Sequence, residues 1–219
     1  MTRQDEHHDD VKFTQEFWDD RYGSADRLWS GQPNVQLVAQ AAKLTPGDAL
    51  DVGSGEGADA IWLASRGWRV TAVDVSAVAL ERGACQAAAE GAQIAGRITW
   101  QQQDMLSWDP GPERFDLVSA QFMHLPAPAQ ESMHARLAAA VRPGGTLLVV
   151  GHLHDEMHAH RPAHMFRPAE VIAAALDPAA WQILVATTIE RPGTGPDGQP
   201  MTLSDSVLRA VRLPVRVTG

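Results

Sequence analysis

Two carboxylates and a glycine-rich turn hold the densest chemistry of this chain: Asp51-Val52-Gly53-Ser54-Gly55-Glu56-Gly57-Ala58, then Asp74, 21 residues after Gly53. Glycines let the backbone turn sharply and approach a ligand with no β-carbon in the way. A carboxylate about 20 residues further on suits a vicinal diol, because one ionised carboxylate accepts from both hydroxyls through charge-assisted bonds. The pattern is that of a nucleoside site. Further polar groups follow in order, Asp104 and then Gln121-Phe122-Met123-His124, each at or beside the end of an apolar run. In open α/β sheets that edge is where ligands bind.

Those runs set the elements that must position the site. From residue 48 the chain alternates strand and helix: a strand over 49–52, a helix over 56–65, a strand over 69–73, a helix over 77–90, strands over 97–102 and 115–120, a helix over 127–141 and a fifth strand over 146–150. Parallel strands joined by crossover helices are implied. The last two strand-like runs, 181–190 and 203–213, are separated by Gly193, Gly195, Pro196, Gly198 and Pro200 with no helix between them, so an antiparallel hairpin is expected. The expected fold is a doubly wound, Rossmann-like α/β sheet of seven strands, mostly parallel with a C-terminal antiparallel hairpin. Two helices precede it, over about 14–22 and from Asn34, which can act as a cap. Residues 1–45 are read as an N-terminal helical lid and 46–219 as the domain proper.

Composition narrows the partners. The chain has 219 residues, a formal net charge of -9 and only two lysines, Lys12 and Lys43, so it offers no broad footprint for a phosphate backbone. No apolar run approaches the length of a membrane span. Cys85 is the sole cysteine, which excludes an intrachain disulfide and points to a reducing cytoplasm. A small molecule is therefore the expected partner, with neither nucleic acid nor membrane; the excess of Arg over Lys points to a GC-rich bacterial genome. Five of the nine histidines fall at His152, His154, His158, His160 and His164. They lack the His-Glu-x-x-His pattern and a nearby cysteine, and no metal is expected there.

Two cofactor classes fit the glycine turn. Gly53-x-Gly55-x-x-Ala58 matches a dinucleotide fingerprint, whereas Asp51-x-Gly53-x-Gly55-x-Gly57 resembles the first motif of class I S-adenosylmethionine-dependent methyltransferases. The terminal hairpin favours the second, and the single tyrosine, Tyr22, leaves no Tyr-x-x-x-Lys pair for an oxidoreductase. The resemblance covers roughly residues 48–152. It implies that Gly53, Ser54 and Gly55 pass the methionine portion of S-adenosylmethionine, that Asp51 positions its amino end, and that Asp74 takes the ribose hydroxyls. It further implies Val75, Asp104 and Met105 around adenine and Gln121 beside the methionine and the acceptor. The arrangement Trp18-x-x-Arg21-Tyr22, Trp29 and Pro33-Asn34 resembles the N-terminal segment of small-molecule methyltransferases related to the thiopurine and tellurite-resistance enzymes. It implies a cover over the cofactor that shapes the acceptor pocket, with Trp18, Tyr22 and Trp29 as candidates for the acceptor side; His152, in the loop expected after the fifth strand, is a further candidate there.

His124 is the expected catalytic candidate, as the histidine of the strand-end loops able to deprotonate or orient an acceptor. The expected activity is methyl transfer from S-adenosylmethionine to a small-molecule acceptor. The alternatives are an NAD(P)-dependent oxidoreductase and a non-catalytic S-adenosylmethionine-binding protein.

Overall fold

In the computed structural model, residues 13–154, 162–194 and 198–214 are described. They fall into two compact units, one ending at Asp109 and the other beginning at Pro110. Seven strands form one sheet in the order β3-β2-β1-β4-β5-β7-β6: β1 Asp48–Val52, β2 Arg69–Asp74, β3 Ile98–Gln102, β4 Phe115–Gln121, β5 Val141–His152, β6 Trp181–Thr194 and β7 Pro200–Arg212. The expected mostly parallel sheet with an antiparallel end is what the chain adopts.

In the first unit β1 pairs in parallel with β2 and β2 with β3. Ala49, Leu50, Val52, Ala72 and Val73 are fully buried, the near-continuous apolar pattern of strands covered on both faces. Its helices are α1 Gln15–Gly23, α2 Val35–Ala41, α3 Ala58–Ser65, α4 Ala77–Ala89 and the short α5 Ala92–Ala95. Three start on side-chain caps: Thr14 accepts from Phe17 N, Asn34 from Gln36 N and Ser76 from Ala79 N. α3 starts later than the expected residue 56, because Gly57, at φ +83°, closes a turn onto the Ser54 carbonyl before the helix begins. Only glycine fits Gly57, since a β-carbon there would run into the Trp100 ring.

In the second unit β4 pairs in parallel with β5, and β5 antiparallel with β7, which pairs antiparallel with β6. Its helices are α6 Ala127–Ala140 and the short α7 Ala169–Ala174, with a 3₁₀ turn over Ala163–Met165. β5 is longer than the expected 146–150. Val141 already pairs with Phe115, and Arg142-Pro143-Gly144-Gly145, which falls between the expected helix and the expected strand, is an irregularity within the strand before pairing resumes at Thr146 and Leu117. The terminal hairpin is also longer than expected: pairing continues past Glu190 to Thr194 opposite Pro200. Among the described residues no helix is long and apolar enough to cross a membrane. Of the histidine-rich segment, His158 and His160 lie outside the described residues.

Candidate functional site

β1 ends in a buried carboxylate and then turns through glycines whose amides are all engaged. Gly53 N and Ser54 N donate to the Val73 carbonyl at 2.9 and 3.0 Å, and Gly55 N donates to Asp74 Oδ2 at 2.8 Å. Asp74 Oδ1 accepts from Ser76 N at 2.9 Å. The residue expected to hold a ribose thus also fastens the glycine turn to the end of β2. Each of its oxygens has a second lone pair, so the carboxylate can serve both turn and ligand. Burial raises its pKa, against the pull of the backbone donors.

Asp51 is the most constrained group. It is fully buried and accepts from Ala60 N in the first turn of α3, yet its Oδ2 has no hydrogen-bond partner. Burial, then the charges of Asp59 and Asp74, push its pKa well above the usual carboxylate range. Burial lifts Asp59, on the same helix turn, to about 6, although it accepts from Asn34 N at 2.6 Å. Ser54 Oγ is a second buried, unpartnered atom in the turn. An orphaned carboxylate oxygen among three acidic groups suits a cationic ligand end and opposes an anionic one. A pyrophosphate meets a further obstacle, since the Ala60 amide at the helix N-terminus already donates to Asp51. These residues fit the aminoacyl sulfonium of S-adenosylmethionine better than a dinucleotide.

The N-terminal segment packs on the same turn. A β-carbon at Gly55, whose φ is +52°, would lie 2.8 Å from Tyr22 Oη and 3.6 Å from the Trp29 ring. Trp29 Nε1 donates to Tyr22 Oη at 3.0 Å, and Trp18 lies against Tyr22 with centroids 6.0 Å apart. Trp18, Tyr22 and Trp29 thus form one cluster. Tyr22 is buried, and burial and the Asp74 charge raise its pKa. α1 is tied to the start of α4 through Asp19, which accepts from Ser76 Oγ at 2.6 Å.

Glu56, overlooked in the sequence, holds the following loop. Its buried carboxylate accepts from Leu28 N and Trp29 N at 3.1 and 3.2 Å and pairs with Arg82 at 3.1 Å. Each charge-assisted bond contributes about 1.5–3 kcal/mol. Glu56→Gln is therefore expected to speed hydrogen exchange at Leu28 and Trp29 by roughly tenfold or more while the amides of β1 keep their protection. Equal protection in both proteins would show that Glu56 does not hold the loop.

Of the residues assigned to adenine, Val75 is half-buried beside Asp74 and Met105 is buried. Asp104 is exposed and uses Oδ1 to accept from Leu106 N at 2.9 Å, a local turn. The main chain joins this loop to the ribose carboxylate, since Gln103 N donates to the Asp74 carbonyl at 2.9 Å.

The second unit has its own polar cluster. Gln121 Nε2 donates to Ser119 Oγ at 2.7 Å. Phe122 follows at φ +56°, unusual for a bulky residue. Its ring stacks on His152 at 4.0 Å, and His152 stacks on His124 at 5.3 Å. His124 is buried, and its Nε2 accepts from His152 N at 3.0 Å. His152 and Asp205 are register partners on β5 and β7, with His152 Nδ1 3.7 Å from Asp205 Oδ1, while Asp205 Oδ2 pairs with Arg191 Nε at 2.6 Å. Asp205 has no sequence signature beyond its place inside a strand, and only the pairing of β7 with β5 reveals it.

Residues 49–145 match the family model described as a methyltransferase domain. Among curated proteins the chain is similar to a 2-heptyl-1-hydroxyquinolin-4(1H)-one methyltransferase of Mycobacteroides abscessus, 27% identical over 121 residues, which are 54% of this chain and 52% of that protein. The chain thus spans about half the length of this relative. Among solved structures it is similar to one from work on the conversion of a disulfide bond into a thioacetal group during echinomycin biosynthesis, with a TM-score of 0.71, 23% identity and coverage of 93% of this chain and 94% of that one. It is also similar to the N-methyltransferase NodS of Bradyrhizobium japonicum WM9, solved with S-adenosyl-L-homocysteine, at a TM-score of 0.66 and 19% identity, covering 89% of this chain and 96% of that one. Residues 49–145 thus match a methyltransferase domain, and the chain has the seven-stranded fold of the methyltransferase structures it is similar to.

Proposed function

We propose that the chain transfers the methyl group of S-adenosylmethionine to a small-molecule acceptor. The observation that carries this reading is the buried acidic group at the glycine turn, with Asp51 Oδ2 unpartnered and Asp59 and Asp74 adding negative charge. The cationic methionine end of the cofactor neutralises it. Asp74 takes the ribose, with Gly53, Ser54 and Gly55 along the methionine and Val75, Asp104 and Met105 around adenine; Gln121 is assigned to the methionine by the family resemblance alone. Residues 1–45 act as the lid, with Trp18, Tyr22 and Trp29 over the turn, and 46–219 as the transferase domain. A small acceptor agrees with the net charge of -9 and with the hydroxyquinolone named for the relative from Mycobacteroides abscessus. A bacterial cytoplasm suits a chain with one cysteine.

Calorimetric titration tests the reading. A cationic ligand favours the ionised carboxylates, so binding expels protons while the pH lies below the free-state pKa. S-adenosylmethionine should bind in the micromolar range and tighten, by about tenfold per pH unit for each proton released, as pH rises toward about 6, where Asp59 ionises, with Asp51, held well above the usual carboxylate range, extending the rise. Below that pH the heat should vary with the ionisation enthalpy of the buffer. Binding of a nicotinamide cofactor, or S-adenosylmethionine affinity that is flat from pH 5 to 7, would remove the basis of the proposal.

A further inference from the structure

The glycine turn after β1 leaves one acceptor and one donor unspent. The acceptor is Asp51 Oδ2, buried and without a hydrogen-bond partner. The donor is the hydroxyl of Tyr22, a residue only 3% exposed. Its oxygen accepts from Trp29 Nε1 at 3.0 Å, while its proton has no acceptor among the described residues. A buried O–H seldom stays in that state, because nothing offsets its lost hydration. The hydroxyl lies over Gly55, where a β-carbon would come within 2.8 Å of it.

That hydroxyl is held from two directions. Asp19 of the same helix accepts from Ser76 Oγ at 2.6 Å, and Ser76 N donates in turn to Asp74. Glu56 fixes the Leu28 and Trp29 amides, and with them the indole that donates to Tyr22 Oη. Accepting from Trp29 uses only the oxygen, so the proton is an addition that the packing of the segment does not require. Burial and the Asp74 charge raise the Tyr22 pKa, which keeps the group a neutral donor.

The charges of the turn define what can meet that donor. Asp51, Asp59 and Asp74 oppose an anion that comes alone, and Arg82 is committed to Glu56. The amides of Gly53, Ser54 and Gly55 are engaged with Val73 and Asp74, so an anionic group here draws on a donor other than these three. An amino-acid end fits both orphans at once: its ammonium complements the unpartnered oxygen of Asp51, and its carboxylate complements the hydroxyl over Gly55. We propose that Tyr22 Oη–H donates to the α-carboxylate of S-adenosylmethionine, so that the N-terminal segment completes the cofactor site and Tyr22 selects a zwitterionic methionine end. This inference rests on the methyl-transfer reading above, and it moves Tyr22 from the acceptor side to the cofactor.

Calorimetry on the full chain with two ligands tests it: S-adenosylmethionine and decarboxylated S-adenosylmethionine, which lacks only the α-carboxylate. The wild type should prefer the first by about tenfold or more, the range for one bond to a charged group, and this measurement needs no variant to fold. Tyr22→Phe should erase the preference, binding S-adenosylmethionine about tenfold or more weakly and the decarboxylated ligand within about threefold of the wild type. Trp29→Phe removes the indole donor and keeps the hydroxyl, so it should retain the preference. Equal affinity of the wild type for both ligands overturns the proposal. So does an equal loss on both ligands in Tyr22→Phe, which would make Tyr22 a packing residue, or a preference that disappears in Trp29→Phe. Failure of the methyl-transfer reading looks different, since neither ligand then binds the wild type, and the inference falls with it.

Discussion

Asp74→Ala is expected to weaken S-adenosylmethionine binding by roughly 10²–10⁴-fold. A bond to a charged acceptor contributes about 1.5–3 kcal/mol and the proposed ribose contact makes two, so roughly 3–6 kcal/mol is at stake, with each 1.4 kcal/mol a factor of ten. The same substitution strands Gly55 N and Ser76 N, which now donate to the carboxylate at 2.8 and 2.9 Å. Stability therefore falls too, by about 1–3 kcal/mol for each buried donor left unpaired. Asp74→Asn separates the two effects. Its amide oxygen still accepts from one of the donors, so the fold should lose less, while the charge that strengthens the ribose bonds is gone. We expect the Asn variant to melt closer to the wild type than the Ala variant does, yet to bind the cofactor at least about tenfold more weakly than the wild type. Affinity within threefold of the wild type in a well-folded Ala variant would show that Asp74 fastens the turn and does nothing for the ligand.

The frame of the molecule was readable because it rests on repetition. Apolar runs of strand length alternate with helical runs from residue 48 onward, and a segment rich in Gly and Pro follows Glu190 with no helical pattern. Each of those signals spans several residues and survives an error at any one. The features that escaped depend on single residues or on pairing. α5 has four residues and α7 six, too short for a helical period to show. The hairpin outruns its expected length because Pro192 and Gly193, turn residues by type, remain paired opposite Thr202 and Met201. Glu56 and Asp59 look like ordinary charges near a helix start. Their importance comes from chain 25 or more residues away, the Leu28 and Trp29 amides for one and the Asn34 amide for the other. Asp205 is likewise silent until β7 is paired with β5. Sequence reasoning placed the glycine turn and its two carboxylates well, because local spacing dictates that turn. For His124 it could not see which imidazole nitrogen is already taken, since a main-chain donor 28 residues away decides it.

Asp51→Asn should make the free protein more stable and a poorer ligand for its own cofactor. Asp51 is buried to 1% exposure, with one oxygen unpartnered and two further carboxyls near it. Ionised, it suffers burial and their repulsion; protonated, it holds a proton that the unfolded chain would release, a cost that grows as pH rises above the ordinary carboxylate pKa. Asn keeps a carbonyl for the Ala60 amide and offers its own N–H groups to the neighbouring carboxylates. The expected gain is about 1–2 kcal/mol, roughly 2–8 °C in melting temperature for a chain of this length. The sign of the pH dependence follows. Burial holds Asp59 in the fold at about 6, above its unfolded value, so its contribution is complete at low pH and is lost as pH rises through about 6. Asp51, which burial and then the Asp59 and Asp74 charges raise well above the usual carboxylate range, adds a loss of the same sign at higher pH that Asn does not suffer, so the melting temperatures of the two proteins should diverge most above pH 6. Cofactor affinity should move the other way, falling by about tenfold or more as one charge-assisted bond to the cationic end disappears. Thermal melts with and without S-adenosylmethionine then read both effects in one experiment, because a bound ligand raises the melting temperature in proportion to its affinity. A variant that melts and binds like the wild type would mean that the buried charge is neither strained nor in contact with the ligand. A gain in stability paired with a loss in affinity would identify the strain as the binding device: the fold tolerates an unpaired carboxylate so that a cation can complete it.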